Sequence, residues 1–166
     1  MSTGFKGAHA PNISANRINA MLRLATFVLI LCASIVRADY VEPARGSTTR
    51  KALMDALRPH IEWQLGAPVE FVVWDLRQKG QIAFFSGMAQ RPGGEMIDLA
   101  RTPAAARQDI DPTVGDGATV QALYRLSGDT WVAVHWGIGA TDVWYSWGPL
   151  CAAYRAVIPE ACQNLD

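Results

Sequence analysis

The stretch from Val69 to Ala89, V-E-F-V-V-W-D-L-R-Q-K-G-Q-I-A-F-F-S-G-M-A, points to a sheet. Both halves are rich in β-branched and aromatic residues, which suit a pleated, half-buried surface. Lys79-Gly80 separates them as a turn, so Val69–Arg77 and Gln81–Ala89 read as a hairpin. So short a turn joins strands only antiparallel. A second hairpin follows the same logic. Ala118–Leu126 and Thr130–Ile138 flank the turn Ser127-Gly128-Asp129. Between the hairpins, Pro92-Gly93-Gly94 turns the chain, and Glu95–Leu99 is expected to form a short third strand. Arg101–Gly117 has no period and reads as a long surface loop.

N-terminal to the first hairpin, Ser47 is placed to cap a helix, since its hydroxyl can accept an orphan backbone N–H. Leu53, Leu57, Ile61 and Leu65 recur every fourth residue and make one apolar helix face. Pro59 is expected to kink this helix or split it into Thr48–Arg58 and His60–Leu65. Gly66 and Pro68 end it. A short helix near Leu150–Val157 closes the chain. The expected fold class is α+β. An N-terminal helix packs on a curved antiparallel sheet of four or five strands, as in cystatin-like or nuclear-transport-factor-like rolls. The alternative is a small open β-barrel.

The N-terminus carries a different signal. Leu24–Val36 is apolar and uncharged, Arg17 and Arg23 precede it, and Val36-Arg37-Ala38 follows. That order defines a secretory signal peptide over 1–38, cleaved after Ala38. The run falls short of the roughly 20 residues a membrane span needs. Met21 opens a compact basic segment and is an alternative start, which would make 1–20 a mis-called extension. Residues 39–46 form a polar, flexible leader, and 47–166 form one domain. Cleavage removes Lys6, Arg17, Arg23 and Arg37 and no acidic residue. Of the 15 basic residues 11 remain against 15 acidic ones, a net charge of −4. That balance argues against a nucleic-acid partner, which needs a concentrated basic surface. It leaves no stable membrane span after cleavage and points to the periplasm or the exterior. Cys32 leaves with the signal. Cys151 and Cys162 remain, and an even count in an oxidising compartment suggests one disulfide. Along an unbroken helix these two would lie about 16 Å apart. Pro159 ends the helix and lets the tail fold back.

The order of motifs resembles a family of small exported bacterial proteins of unknown function. The matching pieces are R-K-A-L-M-D-A-L-R-P (Arg50–Pro59), F-V-V-x-D-L-R (Phe71–Arg77), Q-R-P-G-G (Gln90–Gly94), V-Q-A-L-Y-R (Val120–Arg125) and W-G-I-G-A-T-D-V-W (Trp136–Trp144). The resemblance spans most of the chain after the signal. It implies no activity and no functional residue.

Candidate sites are sparse. The sequence has no phosphate-binding glycine loop, H-E-x-x-H, G-x-S-x-G or C-x-x-C, and no cofactor or metal is implied. Asp75 and His135 are candidate bases for a roll-type enzyme. Arg91, beside Pro92-Gly93-Gly94, is a candidate anion contact. Trp131, His135 and Asp142 form a candidate ligand surface. By strand alternation, and by the echo between Q-I-A-F-F-S-G and W-V-A-V-H-W-G, Val132, Val134, Trp136 and Ile138 are expected to face the core. Trp131, Ala133 and His135 are then expected to face outward. Non-catalytic binding of a protein, peptide or small apolar ligand is the expected role. A roll-type enzyme and an envelope-assembly accessory are the alternatives.

Overall fold

A computed structural model describes residues 40–163 together with Met1. The expected signal segment and the expected cleavage after Ala38 lie, Met1 apart, outside the described residues. Helix α1 runs Thr48–Leu65 without interruption, so the split expected at Pro59 does not occur. Ser47 caps it by accepting from the Arg50 backbone N–H. Pro59 lies on the exposed side, where only one internal hydrogen bond is lost. Leu53, Met54, Leu57, Ile61 and Leu65 are its buried face.

Four strands follow: β1 Glu70–Lys79, β2 Ile82–Gln90, β3 Thr119–Ser127 and β4 Thr130–Ile138. They form one antiparallel sheet in the order β1-β2-β3-β4. The sheet is open, with β1 and β4 as its edges, and is not a barrel. The fold class is therefore α+β, with an N-terminal helix, a four-stranded antiparallel sheet and a short C-terminal helix. The expected strand at Glu95–Leu99 is absent. Met96 makes one isolated bridge to Gln90, and Leu99–Arg101 is a 3-10 turn. Within the long loop, Thr102 caps the four-residue helix α2, Pro103–Ala106, with Ala104 buried beneath it.

Two bulges shape the sheet. In β1 the register with β2 slips between Val73 and Asp75, leaving Trp74 as the extra residue. In β4 it slips between Ala133 and His135, leaving Val134 extra. A bulge inverts the alternation of side chains beyond it. This corrects the expected facing of β4. Trp131 and Ala133 are buried, while Val132 and Val134 are exposed. After the bulge, Trp136 and Ile138 join the same core. Trp131 is thus a core residue, 9 % exposed, and not part of an outer surface.

The sheet is covered on both faces. On one, α1 packs against Leu76, Phe85, Ala122, Tyr124 and Trp131. On the other, Phe84 and Leu123 pack against Leu150, Cys151, Tyr154, Val157, Ile158 and Cys162. This second cover contains helix α3, Gly148–Tyr154, and the 3-10 turn Pro159–Cys162. A disulfide joins Cys151 to Cys162, with Cα atoms 5.6 Å apart and both side chains buried. The helix starts and stops earlier than the expected Leu150–Val157: it ends at Tyr154, before Pro159 could interrupt it, and Pro159 opens the 3-10 turn that brings Cys162 back to Cys151.

Candidate functional site

The second face of the sheet carries two rows of side chains across all four strands. One row is Asp75, Ser86, Gln121 and Gly137; its neighbour is Arg77, Phe84, Leu123 and His135. Both candidate bases therefore lie on this face, at opposite edges. Three strand spacings separate them, about 14 Å. A single substrate proton cannot lie within hydrogen-bond reach of both.

At the β1 edge, Asp75 belongs to an ion-pair cluster. The Arg77 guanidinium donates from Nε to Asp75 Oδ1 at 3.0 Å, and Nη2 lies 2.7 Å from Oδ2. Its Nη1 reaches Glu160 Oε2 at 2.6 Å and the Val157 carbonyl at 3.3 Å. The Tyr40 ring stacks 4.6 Å from the guanidinium carbon. Val41 pairs with Gln78 beside it, so the expected flexible leader is tied to β1 at this point. Burial works against the charge of Arg77, but the hydrogen bonds and charges of Asp75 and Glu160 outweigh it and hold its pKa above the ordinary value. Burial also opposes ionisation of Glu160. The hydrogen bond from Arg77, its own backbone N–H and the nearby positive charge together hold that carboxyl below its ordinary value. Burial pushes the Tyr145 phenol up. A cavity of about 430 Å³ opens over Asp75, Arg77, Ser86, Tyr145 and Glu160. Its charges are already paired, so its main consequence is to pin the 3-10 turn Pro159–Cys162 onto β1.

That pairing has a pH signature. Glu160 binds its proton less tightly in the folded chain than in the unfolded one. The unfolded chain therefore takes up more protons as pH falls below about 4.5, the ordinary value, and the folded state loses stability there. The wild-type chain is expected to melt above Glu160→Gln near neutral pH. The gap should close once pH falls through the folded value of Glu160. Thermal melts of both proteins at several pH values check this; a gap that persists unchanged in acid contradicts it.

At the β4 edge, a groove of about 460 Å³ is lined by Val134, His135, Trp136, Trp144, Trp147 and Leu150. Trp147 precedes α3 and is 65 % exposed. His135 is exposed, with its ring edge-on to Tyr154 at 6.3 Å. The His60 ring of α1 stacks on Trp136 at 5.4 Å and so serves the helix–strand contact. The Trp144 indole lies against Gly137, where a Cβ would come within 3.2 Å of Nε1. Trp144 Nε1 and Gln121 Oε1, from the strand position opposite Gly137, are both buried without a partner among the described residues.

The four residues expected to bind ligand are not brought together. Trp131 is in the helix-side core, while His135 lines the groove. Asp142 lies exposed in the loop after β4. Arg91 closes the C-terminus of α1. It donates to the carbonyls of Leu65 at 2.7 Å and Pro68 at 3.0 Å, and also to that of Gly66. Carbonyls at a helix end lack partners of their own, and an arginine there meets that need. Sequence reasoning missed the Asp75–Arg77–Glu160 cluster, although D-x-R on a strand places both side chains on one face. Among the described residues no group of three or more His, Cys, Asp or Glu is arranged to hold a metal ion. No protein-family model, curated protein or solved structure matches the chain, so the site is read from its own geometry.

Proposed function

We propose that this chain is an exported, non-catalytic binding domain that receives an apolar or aromatic side chain of a protein or peptide partner in the Trp147 groove. The observation that carries this reading is Trp147 itself. Its indole stands 65 % exposed beside exposed Val134 and His135, over a cavity large enough for a side chain. Covering such a ring is worth about 3 kcal/mol at the usual transfer value. Tryptophan is also a preferred anchor of protein interfaces. Export is supported by the apolar run at 24–36 and by the disulfide, since disulfides persist in oxidising compartments. No helix among the described residues is long and apolar enough to cross a membrane.

Catalysis finds less support. Both carboxylate oxygens of Asp75 are already engaged by the Arg77 guanidinium. The space between α1 and the sheet is filled by Leu57, Ile61, Phe85 and Tyr124, all with no exposed surface. Burial raises the Tyr124 phenol well above its ordinary value, as a dry interior should.

The test is selection from a random peptide library displayed on phage, followed by affinity measurement. Enriched peptides should share an apolar or aromatic anchor. Trp147→Ala should bind them at least tenfold more weakly, with its melting temperature unchanged. Peptides that bind the variant as tightly as the wild type, or a selection that enriches nothing, would overturn the reading.

A further inference from the structure

The opposite edge of the sheet carries a second, chemically different groove. Helix α1 and the start of β1 enclose a cavity of about 450 Å³, lined by Arg45, Arg50, Met54, Arg58, Phe71 and Val73. Three arginines therefore line one cavity together with the apolar Met54, Phe71 and Val73. Their donors are only partly used. Arg50 spends Nη1 on the Pro43 carbonyl at 3.2 Å and has Glu42 at 3.6 Å. Arg58 gives Nη1 to the Val69 carbonyl and stacks on Phe71 at 5.4 Å. Arg45 has no partner among the described residues. The N-terminus of the 18-residue helix α1 adds positive potential at the same end of the groove. Glu70 is the one acid in the cavity wall.

Among the described residues the outer edge of β1 pairs with no strand, and its only bridge there is Val41 to Gln78, at the far end. The bulge at Trp74 ends the regular edge, leaving Glu70–Val73 open. Spacing along the helix matches an extended occupant. Arg50, Met54 and Arg58 follow one another by four residues along α1, so the two arginines are about 12 Å apart. In an extended chain, side chains on one face four residues apart are about 13 Å apart.

We propose that this groove binds an extended acidic segment of a partner protein, of the pattern acid-x-apolar-x-acid. The segment adds to the β1 edge at Glu70–Val73. Its two carboxylates meet Arg50 and Arg58, with Arg45 beside the first, and its central apolar side chain covers Met54 and Phe71. Backbone pairing supplies affinity, and the arginines supply choice. This site is independent of the Trp147 groove, and either can fail without the other.

The test uses the peptide acetyl-DTLTD-amide and its neutral analogue acetyl-NTLTN-amide, titrated into the full domain and followed by amide NMR shifts. The acidic peptide should bind at submillimolar concentration, shift the Phe71–Val73 amides, and weaken as salt is raised. The neutral analogue should bind at least tenfold more weakly. Arg45→Gln should weaken the acidic peptide several-fold. Glu70→Gln, which removes a like charge from the exposed wall, should strengthen it. Equal binding of the two peptides, or no gain from Glu70→Gln, overturns the proposal. So does equal competition by citrate or a short oligonucleotide, which would assign the arginines to a small anion or to nucleic acid.

Discussion

Gly87→Ala is expected to lower the stability of the domain by about 3 kcal/mol or more, enough to cost roughly 10 °C in melting temperature. Gly87 sits in β2 opposite Val73, where the β1 register slips at Trp74. The bulge brings β1 close at that point. A Cβ on Gly87 would lie inside contact distance of the Val72 carbonyl oxygen and 2.6 Å from Phe85 Cζ. Neither neighbour can yield cheaply. One is backbone in a paired strand, and the other is a fully buried ring packed edge-on against Phe71 at 5.5 Å. A strand glycine of this kind marks a close backbone approach. Gly148→Ala is the control, because its Cβ would meet nothing within 4 Å. Calorimetry of both variants checks the difference. If Gly87→Ala melts within about 2 °C of wild type, the close approach of β1 does not exist in solution.

Removing the disulfide should have a comparable effect. Cys151→Ala with Cys162→Ala opens a loop closed across 11 positions. Loop-closure entropy for that length is worth about 3 kcal/mol. Both sulfurs are buried in the second core, so lost packing adds to the cost. The loss should be local first. The second cover is held to β1 by Arg77 through Val157 and Glu160, and to the sheet by Phe84 and Leu123. Hydrogen exchange should show the amides of 144–163 losing protection before those of α1 and Phe85. Uniform loss would mean that the two faces unfold as one unit.

Most of the sheet was legible because two-residue turns and β-rich runs are local signals. Lys79 pairs with Ile82 and Ser127 with Thr130, so both hairpins close where the glycines place them. Facing was less legible. Alternation assigns β4 correctly only where no residue is inserted, and the bulge at Val134 cannot be seen in the pattern W-V-A-V-H-W. The second cover left a trace that alternation alone overlooks. Ala83, Phe84 and Phe85 are consecutive and all buried, as a strand covered on both faces requires. Continuity of α1 through Pro59 reflects packing on both sides of the proline, by Leu57 and Ile61, overriding a local breaker. The role of Arg91 depends on carbonyls some 25 positions away, a distance no local pattern spans. Of the residues that line the Trp147 groove, the sequence singles out only His135 as a ligand contact. The groove's assembly waited on the fold-back of the C-terminal segment.

Binding is expected on the Trp147 groove and not inside the domain. Six tryptophans give six indole N–H signals in an NMR spectrum, and they sample different places. Trp136, Trp144 and Trp147 line the groove, Trp131 is in the helix-side core, and Trp63 and Trp74 stand exposed elsewhere. Titration with a peptide selected on the wild-type domain should shift the Trp147 and Trp144 indole signals and leave Trp131, Trp63 and Trp74 in place. A shift of Trp131 with Trp147 unmoved would contradict the account and place the ligand in the interior.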